Sequence, residues 1–194
     1  MRLPPVFNYP EAALFWIVFI CFFYLEIQLT RTIARNPFNK QDAGTRLLIK
    51  IGNGIAFFLA LFLSFLPLFV IPSQRIFLNA GIAILIIGSL FRQYSIRILG
   101  KYFTPEVIVD TNQPVIESGP YRWIRHPGYS GAFLMFLGIG LAFGSWLSLI
   151  VFFLEAFFVY SRRVKAEEKA MLETIGEPYR VYLARTKRFI PFIF

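Results

Sequence analysis

Two short stretches of this chain hold the residue types that could do chemistry together. The first is SGPYRWIRHPGYSG, residues 118–131. It puts two prolines, two tyrosines, two arginines and the only histidine, His126, within 14 residues. Its glycines let backbone come close to a ligand, and its prolines fix the path of the chain. Arg122, Arg125 and His126 offer donors for a carboxylate. Tyr121, Trp123 and Tyr129 offer aromatic faces for a base or a sulfonium. The competing reading is an interfacial aromatic belt with basic anchors, and composition weighs the two equally. The second stretch is RRVKAEEKAMLETIGEPYRVY, residues 162–182. On a helix Arg163 and Glu167 are four apart and share a face. Taken alone they read as an ordinary surface ion pair, which is worth little.

Two further carboxylates fall inside apolar segments, where charge is costly and often functional. Glu155 lies in the middle of the last such segment and predicts an arginine partner, Arg92 or Arg97. The simpler role for that pair is structural, holding helices together. Glu26 lies near the end of the first apolar segment and is expected to reach back to the headgroups.

The elements that must position these residues are dictated by hydropathy. The chain of 194 residues is 57% hydrophobic, 19% aromatic and only 16% charged. A soluble domain averages about 25% charged. The apolar residues fall in blocks near 12–30, 47–70, 76–99, 128–143 and 146–160. About 20 apolar residues cross a bilayer, so the expected fold class is an all-α integral membrane protein of about five transmembrane helices. Between blocks three and four, residues 101–127 carry four prolines with mixed charge and aromatics. Irregular backbone at membrane depth needs protein cover or a cavity, which makes this segment the expected functional loop. Gly144 and Ser145 turn blocks four and five into a hairpin. Residues 166–183 read as a surface helix interrupted near Gly176 and Pro178, followed by an apolar tail, RFIPFIF. The division expected is 1–100 for three N-terminal helices and 101–194 for a catalytic core whose loop and C-terminal helices form a cofactor pocket.

Charge and rare residues exclude several classes. The net charge of +9 accompanies high hydropathy, so anionic lipid headgroups, not nucleic acid, are the expected partner. Of 20 Lys and Arg residues, 18 fall between blocks one and two, around the loop after block three, or after block five. By the positive-inside rule this places the N-terminus outside and the C-terminus in the cytoplasm. A single cysteine, Cys21, excludes an internal disulfide, and one histidine excludes a multi-histidine metal site. The N-terminus lacks the dense basic region and cleavage site of a signal peptide. Gly140 and Gly144 have the spacing of a close helix seam, in the same chain or between copies.

Taken together, RHPGY, a hydrophobic hairpin, RxxxEE and then GEPYRVYLARTKRFIP resemble the isoprenylcysteine carboxyl methyltransferases and their wider group of membrane methyltransferases. The resemblance covers residues 106–194. It implies S-adenosylmethionine bound at the cytoplasmic membrane surface, with S-adenosylhomocysteine as product and no Rossmann fold. It implies cofactor contacts from Val115, Ile116, Tyr121, His126, Pro127, Gly128, Tyr129 and Glu167, and a substrate carboxylate held by Arg163. Arg163 and Glu167 would be the catalytic pair. The chain departs from the family pattern at Glu106, where a different polar residue is common, and at Gln113, where a histidine is common. The reaction implied is methyl transfer to the carboxylate of a lipophilic acceptor entering from the bilayer, such as a C-terminal prenylcysteine. Two alternatives stay open: a phospholipid or amine N-methyltransferase built on the same core, and a non-enzymatic lipid-binding or assembly protein. Sterol reductases share the core but are usually longer.

Overall fold

The computed structural model describes residues 3–33, 44–67, 69–104, 107, 109–110 and 112–189. Arg2, Arg35, Lys40, Glu106 and most of the RFIPFIF tail lie outside the described residues. Those described are helical, with two isolated bridges and no strand. The helices are α1 (Pro5–Asn8), α2 (Ala12–Ile33), α3 (Thr45–Ser64), α4 (Gln74–Leu99), α5 (Pro127–Phe143), α6 (Trp146–Thr174) and α7 (Glu177–Arg185). Five of them match the five apolar blocks. Two, Thr45–Ser64 and Gln74–Tyr102, are long and apolar enough by length and composition to cross a bilayer. Ala12–Gln28 and Pro127–Phe143 are shorter apolar helices.

The molecule is apolar on its outside as well as its inside. Ile17, Ile20, Phe58, Phe62, Ile87, Leu90, Phe153 and Phe158 all point outward and are exposed. A soluble protein rarely shows contiguous apolar surface on this scale, whereas lipid solvates it. The buried core runs through the middle of the bundle and is rich in aromatics. Phe143 of α5 meets Phe15 of α2, Phe57 of α3 and Phe152 of α6, with ring centroids 5.7–6.2 Å apart.

The closest helix contact is between α4 and α5, and glycine makes it possible. A Cβ on Gly81 would sit 2.5 Å from the Gly138 carbonyl oxygen. One on Gly88 would sit 2.8 Å from the Gly131 carbonyl oxygen. Gly81 and Gly88 on α4 thus face Gly138 and Gly131 on α5, backbone against backbone. Without a hydrophobic drive between helices in lipid, such close packing is what holds them together. The expected Gly140 and Gly144 seam is built differently. Gly140 packs on Leu149 across the α5–α6 hairpin, and Gly144 packs on Pro5 and Gln74. Both contacts lie within this chain.

Helix ends follow the glycines and prolines. Pro127 opens α5, where its missing N–H leaves no bond unmade. Gly144 closes α5 at φ 68°, in the left-handed region where glycine has no Cβ to clash. The boundary expected near residue 160 is absent. α6 continues for 29 residues without a break, from the hairpin turn through Arg163 and Glu167 to Thr174. The surface helix expected over 166–183 is the end of α6 plus α7, with Gly176 at φ 72° as the corner between them.

Candidate functional site

The proline-rich segment folds over the end of the bundle at which α4 ends and α5 begins. Residues 119–122 form a single tight turn, and the chain after α7 comes back to lie beside residues 123–126. Lys187 donates its backbone N–H to the Trp123 carbonyl at 3.0 Å. Arg125 and His126 donate theirs to the Lys187 and Arg188 carbonyls at 2.7 and 3.1 Å. The Tyr182 hydroxyl donates to the Tyr121 carbonyl at 2.7 Å. Irregular backbone is thus satisfied by protein.

Beneath this cover a cluster of charges is nested between α5, α6 and the C-terminal chain. Arg163 is 2% exposed. Its Nε donates to Glu167 Oε1 at 2.7 Å and to the Tyr129 hydroxyl at 3.2 Å, and its Nη1 donates to Thr45 Oγ1 at 2.9 Å. Tyr129 donates its hydroxyl to the same Glu167 oxygen at 2.5 Å. His126 stands between two carboxylates, Nδ1 3.5 Å from Glu167 and Nε2 3.4 Å from Glu168. Glu168 also accepts from Arg125 at 2.9 Å and Arg188 at 2.8 Å. Arg125 donates further to the carbonyls of Leu183, at 3.1 Å, and Thr186. The Arg163–Glu167 pair is therefore a buried, multiply bonded element and not the surface pair that spacing alone describes.

Burial works against each of these charges, and their partners outweigh it. Desolvation alone would raise the Glu167 carboxyl, but the Arg163 guanidinium and the bond from His126 hold it down to about 2. Glu168 is likewise held to about 2 by its bonds from His126 and Arg188, against the effect of burial. Burial pushes His126 down, yet its bonds to Glu167 and Glu168 leave the imidazole above its ordinary value. A raised imidazole stabilises the fold fully below about pH 6.5, and that contribution is lost as pH rises through the folded value. The depressed carboxylates stabilise above about pH 4.3, and that contribution is lost as pH falls toward 2. Thermal unfolding in detergent is therefore expected to peak between these limits and to decline on the alkaline side. His126→Gln should flatten the alkaline decline. An unchanged slope in that variant would rule out His126 as its source.

Two cavities meet at this cluster. The first has about 900 Å³ of empty volume, open to solvent on one side. Val115, Ile116, Tyr121, His126, Gly128, Tyr129 and Glu167 all line it, as does Gln113. Pro127 is buried at the start of α5 and is not in its wall. The second has about 1680 Å³. It runs between α2, α3, α5 and α6 and is lined mainly by Phe19, Phe22, Phe57, Phe136, Met135 and Ile139. Arg163 lines this second cavity and not the first. Tyr129, Arg92, Phe103 and Thr104 line both. A cavity of mixed lining and an apolar one thus share a wall, with Glu167 on one side and Arg163 on the other.

Several expected groups stand elsewhere. Arg122 and Trp123 are exposed, with the guanidinium 5.9 Å from the indole ring, and neither lines either of these two cavities. They suit the interfacial belt. Glu155 does not meet Arg92 or Arg97. With the Asn53 amide nitrogen turned toward it, Glu155 Oε1 accepts at 2.8 Å. Arg92 instead takes Glu26, at 2.7 and 2.9 Å. Glu26 is therefore engaged within the protein and does not reach out to headgroups. Glu168 went unassigned because its neighbour Glu167 carries the same letter. One signal for it was present: adjacent carboxylates on a helix point to different sides, so a pair of them has two sets of partners.

Three comparisons bear on this arrangement. The isoprenylcysteine carboxyl methyltransferase (ICMT) family matches residues 81–173. A probable protein-S-isoprenylcysteine O-methyltransferase of Oryza sativa subsp. indica is 30% identical over 115 residues, 58% of this chain and 60% of the relative. The protein-S-isoprenylcysteine O-methyltransferase of Saccharomyces cerevisiae is 30% identical over 115 residues, 58% of this chain and 48% of the relative. The chain thus spans about half to three fifths of the length of these curated relatives. The solved structure of the eukaryotic intramembrane Ras methyltransferase ICMT superposes with TM-score 0.64 at 25% identity, over 73% of this chain and 52% of that one.

Proposed function

We propose that this chain, which matches the isoprenylcysteine carboxyl methyltransferase family over residues 81–173, transfers a methyl group from S-adenosylmethionine to the carboxylate of a lipophilic acceptor of the prenylcysteine class. The observation that carries this reading is the pair of adjoining cavities, the first lined by Glu167, His126 and Arg125 among apolar side chains and the second almost wholly apolar, with Tyr129 and Arg92 in the shared wall. Residues 101–194 form the catalytic core, and the five long helices cross the bilayer with the N-terminus outside and the first cavity on the cytoplasmic face.

The residues around the first cavity suit such a cofactor. Glu167 is the acidic group in the cavity wall among the described residues, placed to meet an ammonium or sulfonium, and Arg125 and His126 are there for a carboxylate. Tyr121 and Tyr129 supply aromatic faces, while Val115 and Ile116 supply apolar ones. When bound, the cofactor supplies an electrophilic methyl group.

The protein's own work is alignment. An acceptor carboxylate is already ionised near pH 7, so no side chain needs to remove a proton. Holding two reactants in line supplies roughly 7–11 kcal/mol in favourable cases. Arg163 and Tyr129 both fix the Glu167 carboxylate, so its position is set before any ligand arrives. The aromatic wall of the second cavity accommodates a prenyl chain and keeps water from the acceptor's end.

Glu167→Gln keeps the shape of the side chain and removes its charge. It is expected to lower kcat/KM by about 100-fold, roughly 2.7 kcal/mol, and to weaken S-adenosylhomocysteine binding. The check is a radiolabelled methyl-transfer assay in liposomes, with prenylcysteine, fatty-acid and phosphatidylethanolamine acceptors in parallel. A folded variant with full activity would remove Glu167 from the site. Methylation of the amine acceptor alone would move the protein to the N-methyltransferase class.

A further inference from the structure

Arg92 occupies a position that the alignment chemistry leaves unexplained. Among the described residues it is the only cationic side chain lining both cavities. Arg163, the group expected to meet an acceptor's carboxylate, is already held by Glu167, Tyr129 and Thr45. Arg92 is held too, but by a carboxylate in the two-pronged manner a substrate would use. Its Nε donates to Glu26 Oε1 at 2.7 Å and its Nη2 to Glu26 Oε2 at 2.9 Å. Its Nη1 donates to the Gly128 carbonyl at 3.1 Å, which fixes the plane of the fork against the start of α5. Among the described residues, Glu26 is the one acidic residue in the wall of the apolar cavity. It is contributed by α2, which packs on α1 and α4.

We propose that Glu26 is an internal stand-in for the acceptor's carboxylate, and that the two exchange on Arg92. The inference rests on the proposed function and names the group that recognises the acceptor's charge. Exchange suits the setting because a buried guanidinium left without a partner is costly. Swapping one carboxylate for another never exposes it. The planar fork recognises either carboxylate equally well. Displaced from Arg92, the Glu26 carboxylate stays in a cavity that Arg46 and Lys50 also line. The reaction then reverses the exchange. Methylation turns the acceptor's carboxylate into a neutral ester, which has no claim on Arg92, and Glu26 takes the fork back. Product release thus follows from the same chemistry that made the product.

The test compares an acid with its ester. Binding of N-acetyl-S-farnesylcysteine and of its methyl ester is measured on the full chain in nanodiscs with S-adenosylhomocysteine present. Glu26→Gln removes the internal competitor and should tighten the acid about tenfold while leaving the ester unchanged. Arg92→Gln should weaken the acid about tenfold or more, again with the ester retained. Arg92→Lys, which keeps the charge without the fork, should fall between. Acid and ester moving in parallel in these variants would mean a structural role and overturn the exchange, as would unchanged acid affinity in Glu26→Gln. Methyl transfer to no carboxylate acceptor by the wild-type chain would overturn the functional reading itself.

Discussion

Gly138→Leu is expected to abolish the folded bundle. A Cβ at this position would lie 2.6 Å from the Gly81 carbonyl oxygen and 2.6 Å from the Leu85 backbone nitrogen. These are backbone atoms and cannot swing aside as a side chain would. The two helices must separate, and the Gly88–Gly131 contact about two turns away must open with them. Overpacking a well-fitted core costs about 1–3 kcal/mol, occasionally more, and total stability is only about 5–15 kcal/mol. Even Gly138→Ala should lower the melting temperature in detergent by several degrees. Gly54→Ala is the control. Nothing lies within 4 Å of a Cβ there, so that change should be neutral or mildly stabilising, since alanine is the better helix former by about 1 kcal/mol. Equal melting temperatures for Gly138→Ala and Gly54→Ala would show that the α4–α5 contact is looser than described.

The second large effect belongs to Glu168. Its carboxylate neutralises Arg125 and Arg188 and faces His126. Removing one member of a buried ion pair typically costs about 3–5 kcal/mol, because the other charge is left without compensation. Arg188 is partly exposed, so its share is discounted for solvent screening, and the lower end of that range is expected for Glu168→Ala. The loss should be local before it is global. Arg125 ties residues 123–126 to the Leu183 and Thr186 carbonyls, Arg188 ties the chain after α7 to α6 through Glu168, and Tyr179 and Tyr182 of α7 line the first cavity. Limited proteolysis should therefore cut first after α7 in this variant, and S-adenosylhomocysteine should protect it less than it protects the wild type. Glu168→Gln, which retains hydrogen bonding, should lie between the two. A Glu168→Ala protein as resistant as wild type would show that the C-terminal chain is held by its backbone bonds alone.

The five long helices were legible because each is an uninterrupted apolar run ended by glycine, proline or charge. The site residues were legible because RHPGY and RxxxEE keep their members close in sequence. Partners distant in sequence were not. Glu26 and Arg92 are 66 residues apart, and nothing in either neighbourhood selects the other over Glu155. Thr45, at the start of α3, holds Arg163 across 118 residues, and a threonine beside a basic run gives no sign of that. The α4–α5 seam was hidden for a different reason. Gly81 and Gly88, like Gly131 and Gly138, are seven apart, whereas the spacing of four that drew notice to Gly140 belongs to contacts with Leu149, Pro5 and Gln74. The continuity of α6 was missed because polarity changes sharply at Ser161, and a change of solvent resembles an end of helix when only composition is read.

That continuity has a mechanical consequence. Ser148, near the first turn of α6, is bonded to the Ala60 carbonyl of α3 at 2.7 Å, while Arg163 and Glu167 ride the same helix about 22–28 Å further along. No hinge separates the two ends. On the proposed topology α6 crosses the bilayer; a bilayer thicker or thinner than the apolar girdle tilts helices to match itself, and any tilt of α6 would carry Arg163 and Glu167 with it relative to α5 and its Tyr129. The thickness of the surrounding membrane is thereby wired to the geometry of the charged cluster, and lipid chain length becomes a variable of the site itself.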